Sequence, residues 1–120
     1  MPRVLVVDDD PQVVRLLRVN LELEGYDVVS ASDGNEALDA VASEDPDLVV
    51  CDVMMPGIDG VEVVRRLRAD NVTLPVVMLS AKAMRSDMRR GLEAGATEYV
   101  TKPFDPAELI DVVDRLLNRK

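Results

Sequence analysis

The stretch that most restricts the fold lies near the middle of the chain. Leu48, Val49, Val50 and Cys51 are apolar without interruption, Asp52 closes the run, and Pro56-Gly57 follows as a turn signal. A strand with one wet face alternates apolar and polar side chains, so a run with no polar position is covered on both faces. Such strands belong to parallel sheets with helices above and below, and this run is too short and too β-branched for a helix. Asp52 then stands where the strand surfaces, on the C-terminal edge along which open parallel sheets bind ligands. Taken by itself, the carboxylate reads equally well as a loop cap.

The remaining chain repeats the same alternation of short strand and longer helix. Arg3 to Val7 is an apolar strand closed by Asp8-Asp9-Asp10, and Asp10-Pro11 supplies an N-cap and a first-turn proline. Val13, Leu16, Leu17 and Leu21 fall on one face of the helix that follows, and Gly25 ends it. Tyr26 to Ser30 reads as the second strand. Asp33 and Glu36 form a capping box for a helix with Ala37, Leu38, Val41 and Ala42 inward. After the Asp45-Pro46-Asp47 turn and the central strand, a third helix starts near Asp59. It carries Val61, Val64 and Leu67 inward, with Arg65, Arg66 and Arg68 mostly outward.

Leu74 to Ser80 is the fourth strand, with Pro75 tolerable near its start. Met84, Met88 and Leu92 are spaced four apart on a fourth helix that Gly95 stops. Thr97 to Thr101 is the fifth strand. Asp105-Pro106 opens a last helix lined by Leu109, Val112, Val113, Leu116 and Leu117. Five βα units in succession predict an α/β fold of the flavodoxin-like (βα)5 kind, a doubly wound parallel sheet of order 2-1-3-4-5. Residues 1–120 read as a single domain with no linker, either standing alone or cut from a longer chain.

Composition removes several function classes. Fourteen Lys and Arg against 23 Asp and Glu leave a net charge of −9, which argues against direct nucleic-acid binding. Histidine is absent, which removes Ser-His-Asp and Cys-His catalysis and the usual zinc sites. Any metal must be held by oxygen. No apolar run approaches the roughly 20 residues of a membrane span. The single cysteine, Cys51, reads as a core filler in a reducing compartment, and a cytoplasmic location is the expectation.

The chemistry converges at the C-terminal ends of the strands. The first strand offers Asp8 and Asp9, the third Asp52, the fourth Ser80 and the fifth Lys102, while the second offers only Ser30-Ala31-Ser32. In the expected strand order, Asp8, Asp9 and Asp52 share one cleft with Ser80 and Lys102 on its rim. Three carboxylates so close must either protonate or bind a cation. Oxygen ligands with room for water suit Mg2+. A hydroxyl and an ammonium beside that cluster suit the oxygens of a phosphoryl group, so the pattern points to phosphoryl chemistry with an aspartate nucleophile.

Along essentially its whole length the chain resembles the receiver domain of the two-component response-regulator family. The matching pieces are Val6-Val7-Asp8-Asp9, Asp52 with Met54-Met55-Pro56-Gly57, Ser80-Ala81, Gly95-Ala96 through Tyr99, and Lys102-Pro103-Phe104. The resemblance implies that Asp52 accepts a phosphoryl group from a sensor histidine kinase or a histidine phosphotransfer protein. Asp8 and Asp9, Asp9 most directly, would hold Mg2+ with Asp52 and the Met54 backbone carbonyl. Lys102 would pair with the phosphoryl group, the Ser80 hydroxyl would move to bond it, and Tyr99 would turn inward in the active state. The Lys102–Pro103 bond is expected cis. The chain would promote its own phosphotransfer and dephosphorylation without being an enzyme of the ordinary kind.

The resemblance also implies an output domain or effector on the face made by the fourth helix, fifth strand and last helix; Met84 and Met88 read as helix packing, with an adaptable contact surface as the alternative. In the subfamily with winged-helix outputs this face carries complementary charges. Glu98 and Arg115 keep one such pair. Met88, Ala94 and Val112 are neutral and Asp114 is acidic, which argues against that type of dimer. Two other classes fit the fold. A Mg2+-dependent phosphatase with an aspartyl nucleophile wants a second acid two residues later, where Met54 stands. A non-catalytic module binding flavin or a partner protein finds little to stack with at 2% aromatic residues.

Overall fold

The computed structural model describes residues 2–70, 72–81 and 85–118. The elements alternate as β1 (Arg3–Val7), α1 (Pro11–Leu23), β2 (Asp27–Ala31), α2 (Gly34–Glu44), β3 (Leu48–Asp52), α3 (Gly60–Ala69), β4 (Val76–Ala81), α4 (Arg85–Ala94), β5 (Glu98–Lys102) and α5 (Pro106–Leu116). All four strand pairings are parallel, and the sheet runs β2-β1-β3-β4-β5. Every residue of β3 is buried, as an unbroken apolar run in a central strand requires.

Alternate strand residues feed two separate cores. Leu5, Val7, Val49, Cys51, Val76 and Met78 face α2, α3 and α4, where Ala37, Val61, Val64 and Leu67 meet them. Val4, Val6, Leu48, Val50, Val77 and Leu79 face α1 and α5, against Leu17, Leu21, Leu109 and Val113. Cys51 is a fully buried member of the first core, and burial pushes its thiol pKa well up, so it stays protonated and inert.

The expected caps form. Asp10, Asp33, Asp59 and Asp105 each accept a backbone N–H of the first helical turn, from Gln12, Glu36, Glu62 and Ala107. The Glu36 carboxylate reaches back to the Ser32 N–H at 3.0 Å and hydroxyl at 3.1 Å, one residue before the cap. This is a capping box displaced by one position.

Several boundaries and faces differ from expectation. β2 and β5 each begin and end one residue later, so Lys102 is the last residue of β5. Tyr26 lies outside the sheet but is buried, and its hydroxyl donates to Asp114 on α5. β4 starts after Pro75, whose carbonyl still accepts the Val49 N–H, and it runs on to Ala81.

Leu16, Ala42 and Leu92 point outward. In α1 the inward seam is Val13, Val14, Leu17 and Leu21, which leaves Leu16 at 44% exposure. In α2 Ala40 takes the inward place expected for Ala42. Among the α4 residues whose burial is described, Gly91 is the buried one, three residues beyond half-buried Met88, and Leu92 is 50% exposed. Met84 lies outside the described residues. Arg68 is not outward. Its guanidinium donates to the carbonyls of Gly95, Val72 and Leu74, at helix-end and loop positions.

Candidate active site

Register places the acidic residues. Val7 pairs with Cys51 in adjacent strands, so Asp8 and Asp52, each the next residue, emerge side by side at the sheet edge. Asp8 is 1% and Asp52 6% exposed, while Asp9 faces solvent. One carboxylate oxygen from each of the three lies within 4.8 Å of the others. The Asp8 carboxylate accepts the Asp10 N–H at 2.9 Å, which turns the chain into α1 and fixes the side chain across the cleft.

Lys102 reaches this cluster from β5. Its Nζ lies 3.1 Å from Asp8 Oδ2 and 3.4 Å from Asp52 Oδ2, bridging the two buried carboxylates. Burial and the neighbouring Asp8 charge raise the Asp52 pKa, while Lys102 and the Met54 N–H, at 3.4 Å from Oδ1, oppose the rise. Burial tends to lower the Lys102 pKa, but its hydrogen bond to Asp8 and the Asp52 and Asp8 charges outweigh that, and the net shift is upward. One ammonium thus serves two carboxylates, and the cluster retains negative charge.

That residue of charge suits a cation. The donors are hard oxygens, two of them anchored on strand ends, and exposed Asp9 opens the group to water, as Mg2+ prefers. The residues present therefore fit the metal expected from the sequence. Met54 is 57% exposed, and its N–H faces Asp52.

The backbone below Asp52 is held by a glycine. Gly60, the first residue of α3, donates to the Val53 carbonyl at 2.9 Å. A side chain there would collide with the Asp52 carbonyl and come within 2.9 Å of Met78 Cε. α3 can pack this close to the site only with hydrogen at that position.

Ser80 lies on the β4 side of the cleft, and Tyr99 lies deeper on β5, the strand that ends in Lys102. Asp52 pairs with Leu79, so Ser80 stands one step beyond it on β4, 1% exposed, and pairs with Thr101. Tyr99, half-buried, pairs with Met78 and packs on the α2–α3–α4 core. Lys102 pairs with Ala81, and the Lys102–Pro103 bond is cis as expected. The structure thus brings Asp8, Asp9, Asp52 and Lys102 into one group, with Ser80 on β4 beside it and Tyr99 on β5, the strand of Lys102.

Other charges have partners within the chain. Arg115 pairs with Glu98, and Asp114 accepts from Tyr26. Sequence reasoning missed Gly60, Gly91 and the Arg68 clamp. Gly91 sits inside a helix, where glycine is disfavoured, and that is the available signal; Gly60 opens α3 directly after the Asp59 cap and offers none. Among the described residues, no helix is long and apolar enough to cross a membrane.

Known proteins share this architecture. The family described as response regulator receiver domain matches residues 4–114. The alkaline phosphatase synthesis transcriptional regulatory protein PhoP of Bacillus subtilis (strain 168) is 50% identical over 117 residues, 98% of this chain and 49% of that protein. The chain therefore spans about half the length of that relative. The receiver domain of Francisella response regulator 1452 superposes with a TM-score of 0.92 at 38% identity, covering 98% of each chain. Vibrio cholerae chemotaxis protein CheY4 gives 0.90 at 32% identity, covering 97% of this chain and 98% of that one.

Proposed function

The chain belongs to the response regulator receiver family of two-component systems, and from that premise we propose that it is a phosphoryl-operated switch with Asp52 as acceptor. The observation that carries the proposal is the arrangement of charge. Three carboxylate oxygens lie within 4.8 Å of one another, and Lys102 spans the two buried ones. No arrangement of loop caps needs this.

A carboxylate oxygen of Asp52 attacks the phosphorus of a phosphohistidine on a histidine kinase or phosphotransfer protein. A P–O bond forms, the P–N bond breaks, and the departing imidazole keeps the electron pair and takes a proton from solvent. Mg2+, held by Asp8, Asp9, Asp52 and the Met54 backbone carbonyl, would supply positive charge to offset that of the phosphoryl oxygens. Lys102, already within reach of Asp52, pairs with one phosphoryl oxygen, and the Ser80 hydroxyl moves to donate to another. Water later attacks the phosphorus, the bond to Asp52 breaks, and inorganic phosphate leaves.

Ser80 and Tyr99 carry the event to the face formed by α4, β5 and α5. Receiver domains interact with histidine kinases and output domains, and here this face is the proposed contact for an output domain or effector. Residues 1–120 act as one receiver unit in the cytoplasm.

Incubation with acetyl phosphate and Mg2+, followed by intact mass, tests the proposal. A single phosphoryl adduct supports it. Steady turnover of phosphate esters without an adduct would make the chain a phosphatase, and neither result would make it a binding module.

A further inference from the structure

Gly91 occupies the buried side of α4, a position at which helix propensity favours alanine. Tyr99 accounts for the glycine. A methyl group built on Gly91 would collide with the Tyr99 hydroxyl oxygen and lie 3.0 and 3.1 Å from ring carbons Cζ and Cε2. The missing side chain is the space in which the end of the tyrosine ring rests.

Neither backbone is free to yield that space. The Gly91 carbonyl accepts the N–H groups of Gly95 at 3.1 Å and Ala96 at 2.9 Å, closing the last turn of α4. Arg68 then holds the Gly95 carbonyl through Nε at 3.1 Å and Nη2 at 2.9 Å. The same guanidinium donates from Nη1 to Val72 at 2.8 Å and Leu74 at 2.9 Å, so the end of α4 is tied to the segment entering β4. On the other side, Tyr99 is fixed by its pairing with Met78. A larger residue at position 91 is therefore relieved most readily by rotation of the Tyr99 side chain out of its seat.

We propose that Gly91 is a positioning residue for Tyr99, and that the size of residue 91 sets how the ring divides between its seat on α4 and solvent. The seat stands on geometry alone. Its regulatory meaning rests on the reading of Tyr99 as the residue that responds to phosphorylation of Asp52. Gly91→Ala should then separate phosphorylation from its readout without touching the acidic cluster.

The test is a cycle of four proteins: wild type, Gly91→Ala, Tyr99→Leu and the double variant. Melting temperature, ring-labelled tyrosine NMR with and without beryllofluoride and Mg2+, and adduct yield from acetyl phosphate are measured on each. Gly91→Ala should lower the melting temperature beside tyrosine and raise it beside leucine, where only helix propensity remains. In Gly91→Ala the Tyr99 ring signals should shift toward those of an exposed tyrosine and lose their response to beryllofluoride, with adduct yield unchanged. If Gly91→Ala alone does not fold, recovery of folding in the double variant supports the seat, and failure of both overturns it. A rise in melting temperature beside tyrosine, or unmoved Tyr99 signals, also overturns it. A ring that leaves its seat in Gly91→Ala, but never responds to beryllofluoride in wild type, leaves the seat standing and removes the switch reading.

Discussion

The two sides of the cleft are held by different means. On the β1–β3 side, backbone fixes the two buried carboxylates: register sets Asp8 beside Asp52, the Asp10 N–H pins the Asp8 carboxylate, and Gly60 lets α3 pack under the Asp52 carbonyl. On the β4–β5 side, Tyr99 is held by a ring resting on a helix, and side-chain rotation can undo that without breaking a ladder hydrogen bond. The first side concentrates charge where the chain cannot move. The second supplies the side-chain contact on which the proposed switch depends, since a switch requires two states that a ligand can bias. Lys102, although on β5, belongs with the carboxylates it bridges; the division predicts that changes to that group alter whether chemistry occurs, and changes at Ser80 and Tyr99 alter what it does.

Asp52→Asn should have the largest effect. The amide cannot attack phosphorus, so the adduct from acetyl phosphate should disappear from the intact mass. The folded, metal-free protein should hold its melting temperature or gain, because the variant removes a buried charge that Asp8 opposes. An undiminished adduct would break the division at its base.

Metal binding should come next. If the cluster takes Mg2+, the folded state gains about 1.4 kcal/mol at roughly ten times the dissociation constant, on the order of 5 °C in melting temperature. Asp9→Ala should remove most of that gain, and Ser80→Ala should leave it intact. Thermal melts with and without millimolar Mg2+ distinguish these outcomes, and equal losses in both variants would erase the contrast between the two sides.

The smallest effect concerns pH. The Asp52 pKa is raised in the folded state, so that state holds its proton more tightly than the unfolded chain does. Without metal, stability should fall as pH rises from the ordinary carboxylate pKa through the higher folded value. Lys102 is also raised, so its contribution is complete below the ordinary lysine pKa and lost as pH climbs through the folded value. Denaturant melts across pH should show both slopes, with the first flattened in Asp52→Asn and the second in Lys102→Met.

The β1–β3 side was legible in the sequence, and the β4–β5 side less so. An apolar run with no polar position implies burial on both faces, and the βα alternation implies a parallel sheet. Together these put Asp8, Asp9 and Asp52 at one edge before any side chain is placed. Lys102 and Ser80 followed from the same logic. Packing was harder to read. Regular spacing of Met84, Met88 and Leu92 suggested an apolar α4 face, yet among the described residues of that helix Gly91 is the buried one, against a ring that comes from β5. Arg68 read as a surface charge because the carbonyls it serves belong to segments four to 27 residues away. Helix periodicity reports which side is apolar; it does not report what a distant residue needs.

The claim that charge placed at Asp52 is read at Tyr99 through Ser80 is tested most directly by ring-labelled tyrosine NMR. With Tyr26 as the only other tyrosine, Tyr99 is readily followed in wild type and Ser80→Ala, before and after beryllofluoride and Mg2+. The Tyr99 signals should shift on addition in wild type and stay nearly fixed in Ser80→Ala, although both proteins take up a phosphoryl group from acetyl phosphate. Signals that do not move in wild type, or that move equally in both proteins, would contradict it.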